Sequence, residues 1–313
     1  MTIDKKFIDL FVNVSKQAAL NAYYLVGKKD KIAADKAAVD AMRSELNKIN
    51  MRGEIVIGEG ELDEAPMLYI GEKLGTLNGQ ELDIAVDPLE GTNFAASNLP
   101  GALSVIAVAE KSNLFNAPET YMDKIATKVK DKNIIDLDFS VKKNINNLAE
   151  YKNKRPEDLT ACILDRPRHK NIINELNNLG VKLKLITDGD VSGALLVTEE
   201  KYGVDIFLGV GGGPEGVLAA SALDAFDCNF QGRFIFESDK DKSRALNMGI
   251  KDFKKKYELN EIISGDSIFC ATGITSGDLV SGIKIENDEF LSETLITHKS
   301  QGLKKVMKIK QKI

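Results

Sequence analysis

Asp83-Ile84-Ala85-Val86-Asp87-Pro88-Leu89-Glu90-Gly91-Thr92 is the stretch on which the reading of this chain turns. Its apolar centre reads as a buried strand that carries Asp87 to its C-terminal end. Pro88 has no amide hydrogen to give to a neighbouring strand and is expected to stop the ladder there. Glu90 and Thr92 then emerge on the turn that follows, so three oxygen ligands gather on one short bend. Oxygen-rich sites of this kind suit hard cations such as Mg²⁺ or Mn²⁺, which bind through carboxylates, waters and substrate phosphate oxygens. Backbone amides at the turn beside Gly91-Thr92 add a place for a phosphate. A capped turn would explain the threonine, but not two acids flanking a proline behind a buried strand.

Upstream, Ile55-Val56-Ile57-Gly58-Glu59-Gly60-Glu61 runs a short apolar strand into an acid between two glycines, which let backbone come close to a ligand. On its own this segment reads first as a polar turn. Further upstream, Val39, Met42, Leu46 and Ile49 recur at spacings of three and four and mark one apolar helix face. Four residues before Val39 stands Asp35, on the same side. It is either a first-turn carboxylate answering the helix dipole or an acid on an apolar stripe that needs a cation or several donors.

Around these segments the chain divides into two styles. Helical periodicity covers residues 7–26, closed by Gly27, and 30–49, closed near Gly53. Strand-like runs follow at 54–57, 82–86 and 103–109. In the second half, strands at 160–164, 183–187 and 204–210 alternate with helices at 169–179, 191–199 and 214–226, which predicts parallel βαβ units. The expected fold class is therefore α/β, with an α+β N-terminal half (residues 1–150) and an α/β C-terminal half (151–313). The Lys/Asn-rich stretch 142–154 is taken as the boundary, although it reads equally as an exposed helix. Lysines alternate with apolar residues over 304–313, as in a lysine-protected edge strand, in preference to a basic binding strip.

Composition narrows the function. With 43% apolar and 28% charged residues the chain is globular, and a formal net charge of −5 excludes a general nucleic-acid binder. Any anionic substrate must be received locally. Cys162, Cys228 and Cys270 form neither a CxxC pair nor a disulfide framework, which fits the cytoplasm. The N-terminus lacks the apolar core of a signal peptide, and no apolar run approaches the ~18 residues of a membrane span, so a soluble protein without a membrane partner is expected. No cysteine precedes a phosphate-cradling CX5R-like segment, and the nucleotide-binding pattern GxxxxGK[ST] is absent.

Asp87-Pro88-Leu89-Glu90-Gly91-Thr92 is similar to the D-P-[IL]-[DE]-G-[ST] signature of the lithium-sensitive, metal-dependent sugar phosphatases, which include inositol monophosphatases and fructose bisphosphatases. Residues 56–69, Val-Ile-Gly-Glu-Gly-Glu-Leu-Asp-Glu-Ala-Pro-Met-Leu-Tyr, resemble more narrowly the class II, or GlpX-type, fructose-1,6-bisphosphatases. So do Phe115-Asn116-Ala117-Pro118, Arg166-Pro167-Arg168-His169, Asp188-Gly189-Asp190 and Gly211-Gly212-Gly213-Pro214-Glu215-Gly216. The resemblance runs through nearly the whole chain.

By that resemblance the fold is a layered αβαβα sandwich and the reaction is hydrolysis of the 1-phosphate of fructose 1,6-bisphosphate, a gluconeogenic step. Asp35 and Glu59 would bind one metal; Asp87, Glu90 and Glu215 would bind another, or share it through the substrate phosphate. Mn²⁺ is the ion the family favours, and Mg²⁺ suits the same oxygens. Two such ions about 3.5–4 Å apart can clamp a phosphoryl group and acidify a bound water. Thr92 would sit beside the attacking water, with Asp63 orienting or deprotonating it. Lys31 would face the same phosphate, although read alone it is a first-turn surface lysine.

Glu90, Gly91 and Thr92 would also touch substrate. Arg166 and Arg168, flanking Pro167 directly after a strand, can grip a second phosphate through several donors. A lysine is common in the family where Arg166 stands, so the charge is kept and the hydrogen-bond geometry changes. Asp188, Gly189 and Asp190 would meet sugar hydroxyls, with helix capping as the other reading of Asp190. Gly212 would bring backbone to the substrate and Tyr121 would contact it. His169 has no evident partner in the sequence and reads as a helix-start or packing residue. The resemblance also implies a homo-oligomer, a dimer or tetramer. The competing readings are a dual fructose-1,6-/sedoheptulose-1,7-bisphosphatase, an inositol monophosphatase, and a catalytically silent sugar-phosphate-binding regulator. The arginine pair favours a bisphosphate over a monophosphate. Retention of Asp35, Glu59, Asp63, Asp87, Glu90 and Thr92 speaks against silence.

Overall fold

The computed structural model describes residues 2–58 and 67–312, so Glu59 and Asp63 lie outside the described residues. In chain order the elements are α1 (Phe7–Tyr23), α2 (Lys31–Leu46), β1 (Met51–Ile57), β2 (Lys73–Leu74), β3 (Gln80–Glu90), α3 (Thr92–Ser97) and β4 (Leu103–Glu110). Then come β5 (Tyr121–Thr127), α4 (Val141–Tyr151), β6 (Thr160–Leu164), α5 (Lys170–Asn178), β7 (Lys182–Ile186), α6 (Asp190–Leu195), β8 (Ile206–Gly212), α7 (Gly213–Ala225) and β9 (Asn229–Ile235). The chain closes with α8 (Asp239–Asn247), β10 (Tyr257–Glu258), α9 (Leu259–Ile262), β11 (Ser267–Gly273), β12 (Lys284–Glu286), β13 (Glu289–His298) and β14 (Leu303–Lys312). The fold is mixed α/β, with two sheets and helices packed on them.

The chain forms two compact units, Met1–Asn116 with Ile263–Ile313, and Ala117–Ile262. This division differs from the one expected at 150/151. The Lys/Asn-rich stretch is α4, whose Ser140 cap accepts a hydrogen bond from Lys143 N and whose Ile145, Leu148 and Ala149 are buried in the second unit. Its polar composition reads as a boundary or an exposed helix, and the apolar residues at helical spacing bury one face of that helix.

In the first unit the strands run β12-β13-β11-β4-β3-β1-β2, with β14 paired to β13. The pairing is parallel between β1 and β3 and antiparallel elsewhere. Helix α1 packs on α2 and on the sheet, and Phe7, Phe11, Val39, Met42, Leu46, Ile84 and Ile106 share one core. Val39, Met42 and Leu46 of the stripe therefore lie on the buried face of α2, and Ile49 is buried just beyond its end. The lysine-rich end forms β14, which pairs with β13 alone among the described strands and alternates exposed lysines with partly buried apolar residues.

In the second unit the order is β10-β9-β5-β8-β6-β7. The expected βαβ units are present: β6 pairs in parallel with both β7 and β8. The antiparallel β5, β9 and β10 extend this sheet. Ile125 of β5 joins Ile145, Leu148 and Leu176 on one face, while Met122 and Lys124 meet Gly216 of α7 on the other. Helices thus cover both faces of the second sheet. Among the described residues no helix is long and apolar enough to cross a membrane.

Candidate functional site

In the first unit the decisive stretch does not end as a plain strand. β3 continues to Glu90, and the register slips from Asp87 opposite Val105 to Glu90 opposite Leu103. Pro88 therefore does not stop the ladder as expected; it lies in an irregularity that the antiparallel partner bridges. Such a bulge lets a strand lose one hydrogen bond and turn its next side chains without leaving the sheet. Asp87 is half-buried and Glu90 is 3% exposed. Gly91 follows with φ 75°, a left-handed conformation that costs a Cβ-bearing residue free energy, and Thr92 opens α3.

Lys31 is the exposed first residue of α2, whose cap is Asp30, accepting a 2.9 Å hydrogen bond from Ala33 N. Asp35, one turn further, is half-buried beside the buried Ala34, Ala38 and Val39. The loop before α2 is tied to α3: Gly27 N donates to Ala95 O at 2.9 Å and Lys29 N to Ala96 O at 3.0 Å. The start of α2 and the helix that Thr92 opens therefore lie side by side. Asp35, Asp87 and Glu90 are all carboxylates, a donor set that fits a hard divalent cation. Among the described residues no three His, Cys, Asp or Glu side chains form a ready-made metal group. Glu59, the further acid expected in this unit, stands outside them.

In the second unit the candidates converge on the end of β8. Tyr121 pairs with Gly212 across the β5–β8 ladder. The Arg168 guanidinium lies over the Tyr121 ring, 4.8 Å from its centroid, and its Nε and Nη2 donate to Val210 O at 3.0 and 2.8 Å. Arg166 is half-buried, and Pro167 and Arg168 are exposed on the 3-10 turn Pro167–His169. His169 is buried between two strands. Val210 N donates to its Nε2 at 2.8 Å, so the other nitrogen carries the hydrogen and Nδ1 donates to Leu164 O at 2.6 Å. Burial, more than any neighbour, holds its pKa below the ordinary histidine value, which keeps the ring neutral for this pairing. His169 is a structural tie between the ends of β6 and β8, as the packing reading had it.

Asp188 is half-buried, and Gly189 enters α6 with φ 83°. Asp190 does not cap that helix. It is the first helical residue, 9% exposed, and its Oδ2 pairs with the ammonium of Lys124. Lys124 also donates to Gly212 O at 2.7 Å. Two glycines make this crowding possible: a Cβ on Gly211 would run into the Asp190 carboxylate, and one on Gly212 into the Glu215 carboxylate. Glu215 is partly exposed as a residue, but its carboxyl group is packed against Gly212. That desolvation pushes its pKa above the ordinary glutamate value, with Lys124 opposing the shift and Asp190 adding to it. The sequence reading passed over Lys124. Its signal was a lysine alternating with Met122 and Ala126 in an otherwise apolar half-strand.

Carboxylates and arginines at the ends of strands, carried on an α/β framework, suit a phosphoric monoester hydrolase, and this chain is one. The pattern of the family described as bacterial fructose-1,6-bisphosphatase, glpX-encoded, matches residues 5–311, and the chain belongs to that family. A Synechococcus protein (strain RCC307) named D-fructose 1,6-bisphosphatase class 2/sedoheptulose 1,7-bisphosphatase is 41% identical over 94% of this chain and 92% of its own length. A Prochlorococcus marinus protein (strain MIT 9301) of the same name is 40% identical over the same shares. The solved IMPase of Thermotoga maritima is 13% identical over 62% of this chain and 72% of its own, with a TM-score of 0.33, too slight a likeness to carry an argument.

Proposed function

We propose that this chain hydrolyses the 1-phosphate of fructose 1,6-bisphosphate, giving fructose 6-phosphate and inorganic phosphate, with a divalent cation as cofactor. The observation that carries this reading is the family match over residues 5–311. Water attacks phosphorus and the bond from phosphorus to the C1 oxygen breaks; no covalent enzyme intermediate is involved. Thr92 has no useful basicity, so it positions the water while Asp63 takes the proton. In the first unit Asp35, Glu59, Asp87 and Glu90 are the proposed cation ligands, and Lys31 faces the phosphate. In the second, Glu215 is a proposed ligand. When bound, the cation, with Mn²⁺ favoured over Mg²⁺, neutralises phosphate charge and acidifies coordinated water.

The remaining assignments concern recognition. Glu90, Gly91 and Thr92 line the reacting phosphate, and Arg166, Pro167 and Arg168 take the other one. Arg168 is supported by its fixed pose: the Tyr121 ring and the Val210 carbonyl hold the guanidinium before any ligand arrives. Tyr121, Asp188, Gly189, Asp190 and Gly212 contact the sugar. A cytoplasmic dimer or tetramer is the proposed state, to be measured by light scattering. The names of the relatives make sedoheptulose 1,7-bisphosphate the second substrate to try.

The test is phosphate release by chelator-treated protein with and without Mn²⁺ or Mg²⁺, comparing the two bisphosphates with inositol 1-phosphate. Cation-dependent release from fructose 1,6-bisphosphate, with little from the monophosphate, is expected. Release from the inositol substrate alone would overturn the proposal, and no release from any of them would bring the silent regulator forward.

A further inference from the structure

Lys124 is 1% exposed on the face of β5 that meets α7, where an ammonium group loses its water. That desolvation costs several kcal/mol before any partner is counted. Two partners answer it, the Asp190 carboxylate through Oδ2 and the Gly212 carbonyl at 2.7 Å. A buried ion pair is often replaceable by apolar groups without loss of stability, so stability alone is a weak reason for this arrangement. The other oxygen of Asp190 supplies a better one. Oδ1 is buried and has no hydrogen-bond partner among the described residues. A carboxylate oxygen in that state calls for a donor, and a sugar hydroxyl is a donor of the right kind.

We infer that Lys124 is a positioning residue for the sugar: it grips Asp190 by one oxygen and leaves the other to accept a hydrogen bond from a sugar hydroxyl. The inference rests on the proposed role of Asp190 as a sugar ligand. A lysine suits the task because its three hydrogens can satisfy a carboxylate and a carbonyl together, on a stem that Gly216 admits: a Cβ there would meet Lys124 Cδ at 3.2 Å. Lys124 touches no reacting atom. Its loss should weaken substrate binding and leave the chemical step nearly intact.

The experiment measures kcat and KM for fructose 1,6-bisphosphate in Lys124→Met, Asp190→Asn and the double variant, with thermal unfolding of each. Lys124→Met should raise KM about tenfold or more, the loss expected of a charge-assisted hydrogen bond, and change kcat far less. Because it acts through Asp190, the double variant should have the KM of Asp190→Asn alone. A folded Lys124→Met enzyme with unchanged KM, beside an Asp190→Asn enzyme with raised KM, would overturn the role of Lys124 and leave the sugar site standing. Unchanged KM in Asp190→Asn would remove the site itself. If Lys124→Met does not fold, the double variant, which buries no lone charge, decides: a KM well above that of Asp190→Asn overturns the inference.

Discussion

At the scale of single residues, Thr92 and Arg168 separate chemistry from binding. Thr92→Ala removes the hydroxyl proposed to place the water, so turnover should fall by at least about a hundredfold, the usual worth of a group aiding proton transfer. Metal binding, followed by calorimetry, should be nearly unchanged; an active variant would take Thr92 out of the mechanism. Arg168→Ala should act on KM, because the proposed partner of the residue is a phosphate remote from the bond that breaks. A large fall in kcat at constant KM would contradict that placement. His169 makes the opposite case. Its ring spends both nitrogens on Leu164 O and Val210 N, and His169→Ala leaves both backbone groups unpaired, at about 2–4 kcal/mol in denaturant unfolding.

At the scale of elements, the strand end that carries Asp87 and Glu90 is irregular. A regular strand would alternate the two faces of the sheet, and the slip between Asp87 and Glu90 re-aims Glu90 before Gly91 turns the chain into α3. Gly91→Ala would place a Cβ at φ 75° and 2.9 Å from Phe94 Cδ2. It should cost about 1–2 kcal/mol and lower activity with it, since Thr92 follows directly. Full activity and stability in this variant would show that the turn tolerates another conformation. In the second unit, β8 gathers the site: its register with β5 fixes Tyr121, its Val210 carbonyl holds Arg168, and its terminal glycines admit Asp190 and Glu215.

At the scale of the whole molecule, the second unit carries an acid-sensitive tie. Asp205 is 7% exposed and accepts hydrogen bonds from Lys152 at 2.6 Å, Lys154 at 3.0 Å and Thr160 N at 2.9 Å. Burial alone would raise its pKa, but these donors together hold it below the ordinary value of 3.8. A carboxyl group whose folded pKa is depressed stabilises the fold above its unfolded value, and that contribution is lost as the pH falls through the folded one. Unfolding free energy should therefore be flat in this term above about pH 5 and should fall below pH 4. Asp205→Asn should flatten the acid limb and cost about 1–3 kcal/mol at neutral pH.

The run of acids and glycines from Asp83 to Thr92, the alternation of strands and helices after residue 160, and the apolar stripe of α2 were legible because each is a local pattern, and local patterns are fixed by backbone sterics and side-chain period. The sequence by itself therefore determined the α/β class and the candidate carboxylates and arginines, and the resemblance of its motifs pointed to the family. Tertiary structure alone decided that Pro88 sits in a bulge, that the helix Val141–Tyr151 buries one face in the second unit, that His169 is a tie, and that Lys124 lies under Asp190 and Gly212. Each of these depends on what a residue meets across the sheet or from a packed helix, and the partners stand 5 to 88 positions apart in the chain. Pairing over such distances is set by register and burial, which no short stretch of sequence encodes.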